Sequence, residues 1–142
     1  MKQINSLSDV IGLELVEVTG GQVGDDEIVF KFKDGESVAL FHSQECCECV
    51  SIEDIDGDIQ DLVGGIVVEF EEVSSDYDEQ PSEYSDSYTW TFYKIATTKG
   101  FVNVRWLGES NGYYSESVDL AIKTGDENDW SSKYGEGWKT LW

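Results

Sequence analysis

Tyr88-Thr89-Trp90-Thr91-Phe92-Tyr93-Lys94-Ile95-Ala96-Thr97, then Thr98-Lys99-Gly100, then Phe101-Val102-Asn103-Val104-Arg105-Trp106-Leu107, is the stretch on which the fold turns. Both halves are rich in β-branched and aromatic residues, and successive side chains of a strand point to opposite faces. Trp90 and Phe92 therefore share one face and Tyr93 and Ile95 the other, while Val102, Val104 and Trp106 line up on the returning strand. Apolar residues on both faces suit a hairpin placed centrally in a sheet.

Outward from that hairpin, alternation continues to outweigh helical spacing. Leu13 to Thr19 reads as a first strand closed by Gly20 and Gly21, and Glu27 to Lys33 as a second with Ile28, Phe30 and Phe32 on one face. Asp34-Gly35 supplies the positive φ angles of a tight turn, so Ser37 to Phe41 returns as the hairpin partner. Asp58 is placed to cap one short helix over 59–63, ended by Gly64 and Gly65, before Ile66 to Glu72 resumes an extended pattern. Val73 to Ser87, rich in Ser, Asp, Glu and Tyr and holding the only proline, Pro81, reads as a mobile acidic loop. Gly108 to Ser115 is a turn-rich loop, and Ser117 to Ile122 one more strand. The expected fold is mostly β, a β-rich α+β single domain built as a curved antiparallel sheet or small open barrel with one short helix. The core domain spans 1–122, with the acidic loop at 73–87. Residues 123–142 form a tail whose Trp130, Tyr134, Trp138 and Trp142 carry enough aromatic area to demand docking on the sheet or on a partner.

Composition limits what such a fold can do. Of 142 residues, 39% are hydrophobic and 13% aromatic, too much apolar area for a disordered chain. Thirty Asp and Glu against nine Lys and Arg leave a formal net charge of -21. Between Lys33 and Lys94 there is no Lys or Arg, while acids recur throughout. That field repels nucleic acid phosphate and anionic lipid and speeds encounter with basic partners. No apolar run approaches the roughly twenty residues of a membrane span, and the N-terminus lacks a signal-peptide pattern, so a cytoplasmic protein is expected. Cys46, Cys47 and Cys49 are too close together to staple distant parts of a secreted fold, which fits a reducing compartment.

Two segments carry a family likeness. His42-Ser43-Gln44-Glu45-Cys46-Cys47-Glu48 with Glu53-Asp54-Ile55 and Gly57-Asp58, and Thr89-Trp90-Thr91-Phe92-Tyr93 with Arg105-Trp106 and Ser110-Asn111-Gly112-Tyr113-Tyr114-Ser115, together resemble an uncharacterised domain common in bacteriophage and prophage genomes. The likeness runs from about Leu13 to Leu120. It implies a phage-type accessory protein in the host cytoplasm and brings no catalytic residue with it.

Residues able to carry chemistry are few. His42, Cys46, Cys47 and Cys49 are the only His and all the Cys of the chain. His42, Cys46 and Cys49 would share a helix face at i, i+4 and i+7, which makes them the candidate zinc ligands. A structural zinc wants four N or S ligands from two knuckles, so a carboxylate such as Glu45, Glu48 or Asp54 would have to complete the set. A nucleophilic cysteine fits worse, because acidic surroundings oppose the thiolate. Buried cysteines and a His bonded to backbone explain the same residues without chemistry. Asp54-Ile55-Asp56-Gly57-Asp58 fails as a calcium loop, since Ile59 falls where the loop glycine belongs and Gly65 where a bidentate Glu is needed. No Ser-His-Asp order and no phosphate or dinucleotide loop is present. Arg105, Trp106, Asn111, Tyr113 and Tyr114 form the candidate small-ligand rim, a stacking ring and a cation suited to a nucleotide-like molecule.

Binding rather than catalysis is therefore the expected role, without a cofactor. The first expectation is an acidic interaction or inhibitor protein for a basic host protein, with Asp54, Asp56, Asp58, Asp61 and Trp138 as contact residues and no direct binding to nucleic acid or membrane. A ligand-sequestering domain and a metal- or cysteine-dependent enzyme are the alternatives.

Overall fold

The computed structural model describes residues 4–73, 80–83 and 86–141. Among them the chain forms β1 (Leu15–Gly20), β2 (Glu27–Phe32), β3 (Ser37–Phe41), β4 (Cys49–Asp56), β5 (Val67–Val73), β6 (Ser87–Thr97), β7 (Gly100–Ser110) and β8 (Asp119–Lys123). Three short strands follow, β9 (Trp130–Ser131), β10 (Gly135–Glu136) and β11 (Trp138–Thr140). Two antiparallel sheets result, in the orders β1-β2-β3-β8-β11 and β4-β7-β6-β5, neither closed on itself; β9 and β10 form a small separate ribbon.

The long hairpin forms in the register its alternation demands, Trp90 opposite Leu107, Phe92 opposite Arg105 and Tyr93 opposite Val104. Tyr93, Ile95, Val102, Val104 and Trp106 all turn inward and are almost wholly buried. They meet Phe30, Leu40, Leu120 and Ile122 of the first sheet in one core, where the Phe30 and Phe70 rings stand edge to face at 4.9 Å. Each such side chain contributes about 1.5–3 kcal/mol on burial, so the two inner faces hold the sheets together without a staple between them. The sheets also join along one corner. Glu14 bridges Ile66, and Leu15 N–H donates to the Gly65 carbonyl at 2.9 Å. That shared corner ends β1 at Leu15, because Leu13 serves β5 by accepting from Val67 N–H.

Asp34 and Gly35 adopt φ of 75° and 96° and return the chain to β3. A single turn of 3-10 helix at Ile59–Leu62 follows Asp58, whose side chain accepts from Gln60 N–H at 3.0 Å. Besides the three short strands of the tail, two elements go beyond the sequence reading. Leu7–Val10 forms a 3-10 turn, with the Asp9 carboxylate accepting from the N–H groups of Asn5 and Ser6. β4 is the larger addition: its register shifts between Ile52 and Asp54, and this bulge breaks the apolar alternation of Val50, Ile52 and Ile55 that would have marked it as a strand.

All five residues of β3 are buried, since both faces are covered. Val38 and Leu40 face the main core, whereas Ala39 and Phe41 face Ala121, Tyr134 and Trp138 on the outside. The C-terminal segment provides that cover by adding β11 beside β8, Trp138 opposite Lys123. Most of the acidic stretch Ser74 to Asp86, expected to be mobile, lies outside the described residues. No helix among those described is long and apolar enough to cross a membrane.

Candidate functional site

The pleat of the second sheet sends every residue between the core positions outward, and the antiparallel registers sort them into rows. Asp54, Arg105 and Phe92 form one row, Asp56, Asn103, Lys94 and Glu71 the next, and Phe101, Ala96 and Glu69 the row at the hairpin tip. Arg105 lies with its guanidinium 5.0 Å from the Trp90 ring centre and 3.8 Å from the Asp54 carboxylate. Lys94 is 3.9 Å from Glu69. Between these rows runs a shallow groove of about 480 Å³ lined by Glu69, Lys94, Ala96, Phe101 and Asn103. This outer face is therefore acidic along β4 and β5 and apolar at one end.

The candidate small-ligand rim does not assemble. Trp106 is fully buried on the inner face, so it offers no ring to a ligand. Adjacent strand residues cannot share a face, and the ring that meets Arg105 is Trp90 of the neighbouring strand. The hairpin register holds that pairing, which sequence adjacency concealed. Asn111 is spent locally, its side-chain oxygen accepting from Tyr113 N–H at 3.2 Å, and Tyr113 stands 87% exposed. Tyr114 is half-buried in the same loop. Six residues of chain, about 20 Å when extended, separate Arg105 from Asn111. Glu116 organises this loop instead: its carboxylate accepts from Thr89 Oγ1 at 2.8 Å and from Ser110 Oγ. Burial alone would raise its pKa, but hydrogen bonds from Ser110, Ser87 and Thr89 outweigh it and lower the value. Gly108 makes room for the arrangement, since a Cβ there would stand 2.1 Å from the Glu116 carbonyl oxygen.

Nor do the candidate zinc ligands converge. His42 is buried with Nδ1 2.9 Å from the Ser117 carbonyl oxygen and Nε2 3.0 Å from Glu48 Oε2, so both ring nitrogens are engaged. Cys46 and Cys47 are joined in a disulfide, and Cys49 is exposed and free. The correction has a physical cause: residues 43–48 form an irregular loop rather than a helix, so the i, i+4, i+7 face never exists. Among the described residues no group of three or more His, Cys, Asp or Glu side chains is placed to hold a metal ion. Glu48, considered from the sequence only as a carboxylate to complete a zinc set, is instead the hydrogen-bonding centre of this loop. Its carboxylate accepts from Cys46 N–H at 2.9 Å, from Glu45 N–H and from the Gln44 amide. The Cys46 bond first, then those to His42 and Glu45, hold its pKa at about 2 against the opposing effect of burial.

The candidate contact acids divide between two faces of one edge. Asp54 and Asp56 project from β4 onto the outer face, Asp58 caps the following 3-10 turn and Asp61 lies within it; all four are exposed. β4 pairs with β7 on one side and stands at the end of its sheet. Trp138 is elsewhere, half-buried on the outside of the first sheet and stacked on Tyr134 at 4.6 Å. It covers the chain's own Phe41 and does not join the β4 acids in one surface.

Two open antiparallel sheets around one core, with exposed acids along the outer edge of the second, define a small mostly-β domain. The chain belongs to the family described as Domain of unknown function (DUF7448), whose model matches residues 8–120. β9 to β11, which cover Phe41, lie beyond that match. No curated protein and no solved structure matches the chain.

Proposed function

We propose that this protein is a phage-type accessory protein that acts by binding, presenting an acidic face to a basic host protein, including one that itself binds nucleic acid. The observation that carries this reading is the run of exposed carboxylates Glu53, Asp54, Asp56, Asp58 and Asp61, held on an edge strand and the turn that follows it. Ordered backbone fixes their spacing before any partner arrives, so each charge contributes without first being immobilised. Long-range attraction from a chain of net charge -21 then speeds encounter. Where the partner is a nucleic-acid-binding protein, carboxylates occupy the place of phosphates and binding competes with DNA.

The test is retention of bacterial lysate proteins on the immobilised chain at low salt and their elution as salt rises, for the wild type and for D54N/D56N/D58N/D61N. Basic proteins that elute near physiological ionic strength, where screening acts over about 8 Å, and that the variant fails to retain, support the reading. Retention unchanged by salt and by the substitutions would sink it. A variant that aggregates yet keeps its partner would assign the acids to protecting an exposed sheet edge.

A further inference from the structure

We infer that the groove beside Phe101 is the anchor point of this interface, and that it takes an apolar side chain carried on a lysine- or arginine-rich segment of the partner. The inference rests on the proposed binding role and adds to it where, and by what chemistry, the basic partner is gripped. Single exposed apolar residues are ordinary on a protein surface, but here they adjoin. Phe101 is 68% exposed at the start of β7, Ala96 lies opposite it on β6, and the groove runs between them. Val68 is the extra residue of a bulge: Val67 pairs with Thr97 and Glu69 with Ala96, leaving Val68 unpaired in the register and 53% exposed beside this row. Bulges commonly re-aim a side chain in this way. Ile66, 38% exposed, extends the patch to the corner where it bridges Glu14.

The rim of the patch selects the occupant. Asp56 borders the groove through Asn103 on the β4 side, and Glu69 and Glu71 border it through Ala96 and Lys94 on the β5 side. Lys94, itself in the groove and 3.9 Å from Glu69, offsets part of that charge, but the acids outnumber it and the rim is continuous with the acidic run on β4. A second copy of the chain is the wrong occupant. A two-fold contact here would bring together two faces that each carry Asp56, Glu69 and Glu71 against the single Lys94, in a protein already carrying -21. A positively charged segment with one apolar side chain satisfies both the groove and its rim, in the way buried anchors surrounded by complementary charge govern other interfaces.

Two synthetic peptides of equal length and equal lysine content test the inference, one with leucines between the lysines and one with glutamines in their place. Binding is read by fluorescence anisotropy at low and physiological salt. The leucine peptide should bind the wild type about tenfold more tightly. V68S/F101S, whose altered side chains lie outside the core, should lose that preference while binding the glutamine peptide as before, and F101L should retain it. D54N/D56N/D58N/D61N should weaken both peptides alike. Equal affinity of the two peptides for the wild type, or a preference that survives V68S/F101S, would overturn the anchor while leaving the acidic interface standing. Binding insensitive to salt and to the four Asp substitutions would overturn the acidic interface and, with it, the basic character assigned to the segment. Self-association of the wild type that V68S/F101S abolishes would give the groove to a second copy and also overturn the inference.

Discussion

Glu48 and His42 stand six residues apart in sequence yet meet side chain to side chain at 3.0 Å, both almost wholly withdrawn from solvent. The loop between them has almost no apolar surface to bury, so its shape depends on the Glu48 carboxylate collecting N–H groups. The acid response follows. A carboxyl whose folded value is depressed from 4.5 to about 2 contributes stability that is fully present above pH 4.5 and lost as pH falls toward 2. Amide exchange at Glu45 and Cys46 should accelerate across that window beyond the intrinsic pH effect, and Glu48→Gln should show fast exchange at all pH values and a melting temperature lower by on the order of 5 °C. An acid profile identical in wild type and variant would refute the role given to Glu48.

On the alkaline side Tyr134 contributes. Burial first, then its hydrogen bond to Glu27 and the charges of Glu27 and Asp26, push its hydroxyl well above the ordinary value of 10. A raised folded value means the contribution is intact below pH 10 and disappears as pH climbs beyond it. Tyr134→Phe should cost about 1 kcal/mol near neutral pH and should remove one tyrosine that ionises well above pH 10 in an absorbance titration. Ionisation of all tyrosines near pH 10 in the wild type would contradict this.

Gly108 tests the clasp over the end of the second sheet. Its Cβ position is occupied by the Glu116 carbonyl, which belongs to backbone and cannot swing aside. Gly108→Ala should therefore destabilise the fold by about 1–3 kcal/mol, read by denaturant unfolding, and should raise amide exchange in residues 111–117. A neutral outcome would show that the loop has room to lift.

Trp106 is fully buried, and its indole Nε1 has no hydrogen-bond partner among the described residues. Trp106→Ala should cost about 3–5 kcal/mol. Trp106→Phe should cost about 1 kcal/mol or less, because the unpaired donor leaves with the lost ring. A cost for Phe close to that for Ala would reveal a partner for the indole.

What the sequence disclosed follows from how local each signal is. The Trp90 to Trp106 hairpin, the Asp34-Gly35 turn and the Asp58 cap each depend on residues close along the chain, and each stands where alternation and turn chemistry put it. β4 was illegible because a one-residue bulge shifts its period and acids fill its outward positions. The pairing of Arg105 with Trp90 needed the register of two strands, and the meeting of His42 with Ser117 needed the tertiary fold. Glu48 stood out only as a carboxylate near His42, and its role as acceptor of the loop's N–H groups shows only once the loop closes around it.

Val38 pairs with Ile122, and the whole second sheet is threaded between them in sequence. A ribosome therefore releases β1 to β3 long before β8 exists, and the edge of β3, apolar on both sides, must wait for nearly all the rest of the chain to be synthesised. Such non-local pairing slows folding and prolongs exposure of strand edges. The mutual repulsion of so many carboxylates would keep neighbouring half-made chains apart during that interval, a service rendered to the nascent protein before any surface of the finished one exists.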